Sequence, residues 1–155
     1  MLVACVITTM VSLVLAAGSD LRCRLIPNHL PLAIAASFGI AALAEPSAMT
    51  VLAAIAVAGG IFVTGLLLFA LNILGGGDVK LLAATALWAG VDQIALLLMA
   101  TAVVGGLLGL LVWLHCITGR WRLLSRSAEF AAQPSSVPYG VAIAIGGAAV
   151  LVTRF

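Results

Sequence analysis

The sequence predicts an all-α, polytopic membrane protein with six transmembrane helices, folded as a single domain over residues 1–155. Two observations lead to this prediction. The chain is 65% hydrophobic and only 8% charged, whereas ordinary soluble domains carry about 25% charged residues. Its apolar residues also form long runs, and polar or glycine-rich stretches separate them. We therefore expect membrane lipids around the protein and no nucleic-acid partner.

The first three apolar runs predict helices over residues 2–25, 30–44 and 50–74. No Lys or Arg precedes the first run, so it lacks the basic start of a signal peptide. As a helix it would be about 36 Å long at 1.5 Å per residue, which exceeds the roughly 30 Å hydrocarbon core of a bilayer. Asp20 would then lie near one membrane surface, in the last turns of the first helix.

Three more helices are predicted over residues 79–91, 94–114 and 138–152. The fourth helix would be only about 20 Å long, which is short for a span. Asp78, just before it, is therefore expected at the edge of the hydrocarbon. The stretch 115–137 is basic with interleaved apolar residues, and it fits an amphipathic helix on the membrane surface or an ordinary loop equally well.

The basic residues predict the orientation. Of the seven Lys and Arg residues, all except Arg154 fall in or beside the loops after the first, third and fifth helices. They are Arg22, Arg24, Lys80, Arg120, Arg122 and Arg126. By the positive-inside rule these segments are cytoplasmic and both termini face outside. Asp20 and Asp78 would then emerge together on the cytoplasmic face.

The stretch Gly75-Gly76-Gly77-Asp78-Val79-Lys80 combines three glycines, an acid and a base beside a long apolar run. An ionisable group in lipid costs several kcal/mol unless it faces a cavity or a partner, which makes Asp78 a functional candidate. The glycines allow positive φ and close approach of another chain segment. A simpler alternative is that Asp78 only caps a helix that begins at Val79.

Aspartic proteolysis requires at least two carboxylates, and here two are expected at the same depth in the membrane. Like charges a few ångströms apart cannot both be ionised, so the pair would share a proton. The ionised partner takes a proton from water, and the protonated partner hydrogen-bonds the scissile carbonyl. Asp20 also has a simpler alternative, an ion pair on the helix surface with Arg24. The cysteines and histidines have no metal-ligand spacing, so we expect no metal and no cofactor.

Several of these motifs resemble those of the type IV prepilin peptidase family. Asp20 stands six residues before Ile26-Pro27-Asn28, and Asp78 ends Gly75-Gly76-Gly77-Asp78. The family carries its aspartates in an Asp…Ile-Pro-Asn/Asp context and in a Gly-x-Gly-Asp motif. Val79-Lys80-Leu81 and Pro138-Tyr139-Gly140 look like the family as well. The resemblance therefore extends over nearly the whole chain.

The resemblance implies a membrane aspartic endopeptidase that removes the short basic leader of prepilins or pseudopilins. Cleavage would occur at the cytoplasmic face of the bacterial inner membrane, with Asp20 and Asp78 as the catalytic pair. The other matched positions would have supporting roles; they are Pro27, Asn28, Gly75, Gly77, Lys80, Pro138 and Tyr139. Lys80 would either act on a nearby carboxylate or extend to lipid phosphate. Whether the protein forms a homo-oligomer is left open.

The sequence departs from the longer bacterial members of that family. They carry a cytosolic insertion with four cysteines that is associated with N-methylation of the mature pilin. Only residues 20–30 separate the first two helices here, so we expect peptidase activity without methyltransferase activity. This points to the short form associated with tight-adherence (Flp-type) pili.

Three rival interpretations remain at this stage. Intramembrane acids and a glycine-broken helix are also typical of a small ion-coupled transporter. The Gly-x-Gly-Asp motif is shared by presenilin-like intramembrane proteases, which act on other substrates. A structural assembly subunit would use Gly105 and Gly109 for helix packing, but it offers no reason for both acids to share a face.

Overall fold

A computed structural model of the chain describes residues 1–44, 51–117 and 138–155. Within these ranges the secondary structure is helical and contains no strand. The helices are α1 (Leu2–Cys23), α2 (His29–Ala44), α3 (Val51–Ala70), α4 (Gly76–Ile117) and α5 (Tyr139–Arg154). The predicted all-α class is therefore confirmed for the described part of the chain.

A sharp break at Gly90 divides α4 into a first segment, residues 76–89, and a second segment, residues 91–117. Gly90 has φ 58° and ψ −159°, a conformation that glycine adopts readily because it has no Cβ. Arg154 donates hydrogen bonds from Nη1 to the carbonyl oxygens of Trp88 and Ala89, at 2.6 and 3.2 Å. Carbonyls at a helix end lack partners within the helix, so this guanidinium closes the first segment.

The two segments of α4 run in opposite directions along α5. Along the first segment, the residue numbers of contacting pairs rise together with those of α5. Along the second segment, they rise as those of α5 fall. The pairs are Thr85–Gly147 and Trp88–Arg154 for the first segment, and Leu97–Gly146 and Gly105–Tyr139 for the second. The long α4 is therefore a helical hairpin, in line with the two separate helices that the sequence predicts.

Several helices have the length and composition of membrane spans. Among the described residues, Leu2–Cys23, Val51–Ala70 and Gly76–Leu114 are long and apolar enough to cross a membrane. The helices α2 and α5 are apolar too but have 16 residues each. These findings support a membrane protein. The count of six spans and the outward position of the termini stay predictions.

The observed helix ends correct the predicted boundaries. The helix α1 ends at Cys23 rather than at residue 25, because Arg24 takes a left-handed conformation with φ 53°. The helix α3 ends at Ala70 rather than at residue 74, and Asn72, which follows it, has φ 57°. The other helix ends agree with the prediction to within three residues.

The start of α4 overturns one alternative for Asp78. The helix begins at Gly76, and Asp78 lies inside its first turn. The Val79 N–H donates to the Gly75 carbonyl at 3.1 Å, and this bond makes Gly75 the residue that caps the helix. Asp78 is therefore not the N-cap of a helix beginning at Val79, as the simpler alternative had it, although its side chain still bonds the end of this helix. The predicted surface helix or loop over 115–137 falls almost entirely outside the described residues.

Trp88 lies in the main core, to which all five helices contribute. It is fully buried, and its Nε1 donates to the Ile34 carbonyl at 3.3 Å. The rings of Phe38 and Phe155 each pack against it in a T-shaped arrangement with centroid distances of 5.9 Å, which is a favourable aromatic geometry. Trp88 therefore connects α2, the first segment of α4 and the end of α5.

We expect Gly146→Ala to destabilise the bundle by about 1–3 kcal/mol, the usual cost of overpacking. A Cβ at Gly146 would lie 2.6 Å from Thr101 Oγ1 and 3.0 Å from the Leu97 carbonyl oxygen. Gly106→Ala is the matched control, because a Cβ there meets nothing within 4 Å. Thermal unfolding of the purified protein in detergent measures both variants. Equal melting temperatures would contradict the close packing of α5 on α4.

Candidate active site

Asp20 lies in the last turn of α1, and only 6% of it is exposed. Its Oδ2 accepts a hydrogen bond of 2.7 Å from the Gly140 N–H, 120 positions later in the chain. The Val141 N–H, which bonds the Pro138 carbonyl, also acts on this carboxylate. Both N–H groups belong to the first turn of α5, and a helix N-terminus favours a negative charge. The last helix therefore holds the carboxylate of the first.

Gly140 allows this contact because it has no side chain. A Cβ at this position would lie 2.9 Å from Asp20 Oδ2 and 3.0 Å from Ile26 Cδ1. The backbone conformation of Gly140 is ordinary, so close approach is what requires glycine here. The N-terminus of α5 can thus come within hydrogen-bonding distance of Asp20.

Asp78 is held by the start of its own helix. It is the third residue of α4 and is half-buried. Its carboxylate accepts a hydrogen bond from the Gly75 N–H. A side chain at the third helical position that reaches back to the capping residue is half of a capping box. A Cβ at Gly75 would lie 2.8 Å from Asp78 Oδ2, so this glycine also gives the carboxylate room.

Asp20 and Asp78 lie at the same end of the bundle, near enough for the charge of Asp20 to act on Asp78. Ile26, in the loop after α1, packs between the start of α4 and the start of α5. Its side chain lies 3.1 Å from a Cβ placed at Gly77 and 3.0 Å from one placed at Gly140. The end of α1, the start of α4 and the start of α5 therefore meet at one end of the bundle. Two carboxylates that come within a few ångströms of each other share one proton, which suits acid–base chemistry.

The simpler alternative for Asp20, an ion pair with Arg24, is supported in part. The charge of Arg24 acts on Asp20 from the next turn of the chain. The Arg24 N–H also donates to the Asp20 carbonyl at 3.1 Å. The backbone of α5 also donates a hydrogen bond to the carboxylate, so Arg24 does not account for the position of Asp20 by itself.

Lys80 and Asn28 contact each other rather than the two acids. The Lys80 Nζ donates to Asn28 Oδ1 at 2.9 Å, and both side chains are exposed. This bond connects the loop after α1 with the first segment of α4. The Pro27 carbonyl accepts a bond of 3.1 Å from the Leu30 N–H at the start of α2. Both residues of the Pro-Asn motif therefore organise the turn that follows Asp20.

Pro138 and Tyr139 lie at the start of α5. Pro138 precedes the helix, and its carbonyl accepts a bond of 3.3 Å from the Val141 N–H. The Tyr139 ring packs against Gly105 in the second segment of α4. These two residues thus position the helix N-terminus that holds Asp20.

Sequence reasoning assigned no role to Gly140 or Ile26. Both lie inside motifs that the sequence analysis matched, next to residues that it singled out. A glycine in the first turn of a predicted membrane helix is the signal that was available, because such a residue lets another chain segment approach. In the described ranges, no group of three or more His, Cys, Asp and Glu residues could hold a metal ion.

A comparison with protein families identifies the group to which this site belongs. Residues 7–110 match the model of the type IV leader peptidase family. The chain belongs to the type IV leader peptidase family. The resemblance to prepilin peptidases is thereby confirmed, and the family supports a leader peptidase-like protease. No curated protein and no solved structure matches the chain.

The family match includes both acids but ends before α5. The carboxylates of Asp20 and Asp78 lie within residues 7–110, whereas the donor Gly140 lies beyond them. The contact that positions Asp20 in this leader peptidase family member therefore comes from outside the matched region.

We expect Gly140→Ala to lower leader-peptide cleavage by up to about 10²-fold, since displacement of a catalytic group by about 1 Å has that effect. The added Cβ would push Asp20 away from the α5 N-terminus. Gly75→Ala should act in the same way on Asp78. Gly60→Ala is the control, because a Cβ there meets nothing within 4 Å.

The rates are measured on membranes that contain equal amounts of each variant, and melting temperatures show whether the fold is kept. A Gly140→Ala protein with the cleavage rate of the unchanged chain would contradict the role of this contact.

Proposed function

We propose that the protein is a membrane aspartic endopeptidase with Asp20 and Asp78 as its catalytic pair. The observation that supports this proposal is the position of two acids, from α1 and α4, at one end of an apolar bundle. Membership of the type IV leader peptidase family supports the peptidase activity. The transporter and assembly-subunit interpretations have no comparable support.

The mechanism follows from one proton shared by two carboxylates. The ionised carboxylate takes a proton from a water molecule, and the water oxygen attacks the scissile carbonyl carbon. The protonated carboxylate donates a hydrogen bond to the carbonyl oxygen as negative charge develops there. A proton then passes to the leaving amine, the C–N bond breaks, and the pair returns to its starting state.

The proposed substrate is the short basic leader of a prepilin or pseudopilin. Its apolar helix would lie in the bilayer beside the peptidase, and its basic leader would be attracted by the two acids. The positive-inside distribution of Lys and Arg supports cleavage on the cytoplasmic side of the bacterial inner membrane. Self-association into a homo-oligomer is compatible with this proposal but is not required by it.

The short connection between α1 and α2 supports an Flp-type substrate and the absence of methyltransferase activity. The helix α1 ends at Cys23 and α2 begins at His29. This leaves no room for the cysteine-containing insertion of the longer enzymes. The pilin class is thus inferred from the small size of this connection.

The first test is cleavage of a co-expressed Flp-type prepilin, followed as a gel shift. Asp20→Asn and Asp78→Asn should each lower cleavage by about 10²–10⁴-fold, the range for loss of a general acid or base. Asp92→Asn is the matched control, because Asp92 is exposed and follows the break at Gly90, away from the pair. Membrane insertion of each variant is checked in parallel.

Two outcomes would contradict the proposal in different ways. Cleavage that persists in both Asn variants would make the acids structural or ion-binding, as in a transporter. A complete absence of prepilin cleavage by the unchanged protein, with acid-dependent cleavage of another membrane substrate, would keep the chemistry and replace the proposed substrate.

The shared proton also predicts a bell-shaped pH–rate profile for leader cleavage. The rate should fall at acidic pH, where both carboxylates are protonated, and at higher pH, where both are ionised. The two limbs belong to the pair rather than to either residue. The Asp92→Asn variant should keep the same profile. A rate that stays flat through the acidic range would speak against a carboxylate pair.

A further inference from the structure

An apolar cleft lies between α2 and α3, and the first segment of α4 forms its base. We call it the α2–α3 cleft; Leu32 and Ala35 line it from α2, Phe62 from α3 and Ala84 from α4. Its volume is about 350 Å³. With 3.6 residues per turn, Asp78 and Lys80 point to opposite sides of α4. The cleft is therefore separate from the candidate active site.

The cleft is polar only at one end. Asn28 and Lys80 are the polar residues among those that line it, and they meet there through their 2.9 Å hydrogen bond. An ammonium group has three N–H donors, and Asn28 uses one. Among the described residues no carboxylate pairs with Lys80. This end of the cleft thus offers a cation with unused donors above an apolar groove.

A phospholipid has the complementary arrangement of charge and apolar chain. We propose that the α2–α3 cleft binds an anionic phospholipid, with its phosphate at Lys80 and one acyl chain along Leu32 and Phe62. The walls support this occupant, because Leu32 and Phe62 are exposed although both are apolar. The helices α3 and α4 are candidate membrane spans, so the groove opens toward lipid.

The position of the cation fits the depth of a lipid headgroup. Lys80 lies in the first turns of α4, at the same end of the bundle as the two acids. A lysine at the end of a membrane helix extends its ammonium toward the interface. Asn28 lies in the loop after α1, so a phosphate at this pair would join the segments that follow Asp20 and Asp78.

Native mass spectrometry of the purified full-length protein in detergent, titrated with dioleoyl phosphatidylglycerol, tests the proposal. The unchanged protein should bind one phosphatidylglycerol more tightly than any further ones. Lys80→Gln should weaken this first binding by about tenfold or more, the usual effect of losing a charge-assisted hydrogen bond. Lys80→Arg should restore it, which guards against a folding defect.

Two control variants separate the cleft from general attraction of lipid. Arg22→Gln removes an exposed cation at the end of α1, outside the cleft, and should leave the first binding unchanged. Ala35→Leu should fill the groove and weaken binding, whereas Ala36→Leu, on the exposed side of α2, should not.

Each other result overturns the proposal. Equal weakening by Arg22→Gln and Lys80→Gln would mean general attraction of anionic lipid to a basic surface. Unchanged binding in Lys80→Gln would contradict the phosphate contact at Lys80. Unchanged binding in Ala35→Leu would contradict the acyl-chain groove. The readout is lipid binding, so its outcome is independent of whether Asp20 and Asp78 cleave a leader peptide.

Discussion

The hydrogen bond from the Gly140 N–H to Asp20 Oδ2 is the interaction on which the site depends. A buried carboxylate needs donors, because an unsatisfied charge in an apolar environment is costly. Asp20 lies at the C-terminal end of α1, where a helix offers free carbonyls rather than free N–H groups. Its donors must therefore come from another helix. The N-terminus of α5 supplies them, and it can approach only because residue 140 is glycine.

Asp78 meets the same requirement by a local route. It lies at the N-terminal end of its helix, where free N–H groups are available, and Gly75 donates one of them. Each acid is thus paired with a glycine that gives its carboxylate room. For Asp78 the glycine is three residues away in the sequence, whereas for Asp20 it is in the last helix. The Asp20 carboxylate is therefore held by a different helix, and the Asp78 carboxylate by the start of its own helix.

The topology of the bundle makes this arrangement feasible. The helix α1 ends where α4 and α5 begin, so one end of the bundle collects a helix C-terminus and two N-termini. The break at Gly90 lets α4 turn back so that its second segment also packs on α5. Both segments of the hairpin therefore contact α5, and Tyr139 packs against the second segment. This packing helps to keep the donor N–H groups in place.

The sequence by itself determined the membrane class, the approximate helices, the family and the two candidate acids. These properties are recorded locally, in apolar runs, in helix-breaking glycines and prolines, and in short motifs around Asp20 and Asp78. Only the tertiary structure decided that Gly140 holds Asp20, that Lys80 faces Asn28, and that α4 begins at Gly76. A contact across 120 residues leaves no local pattern, because it depends on how separate helices pack.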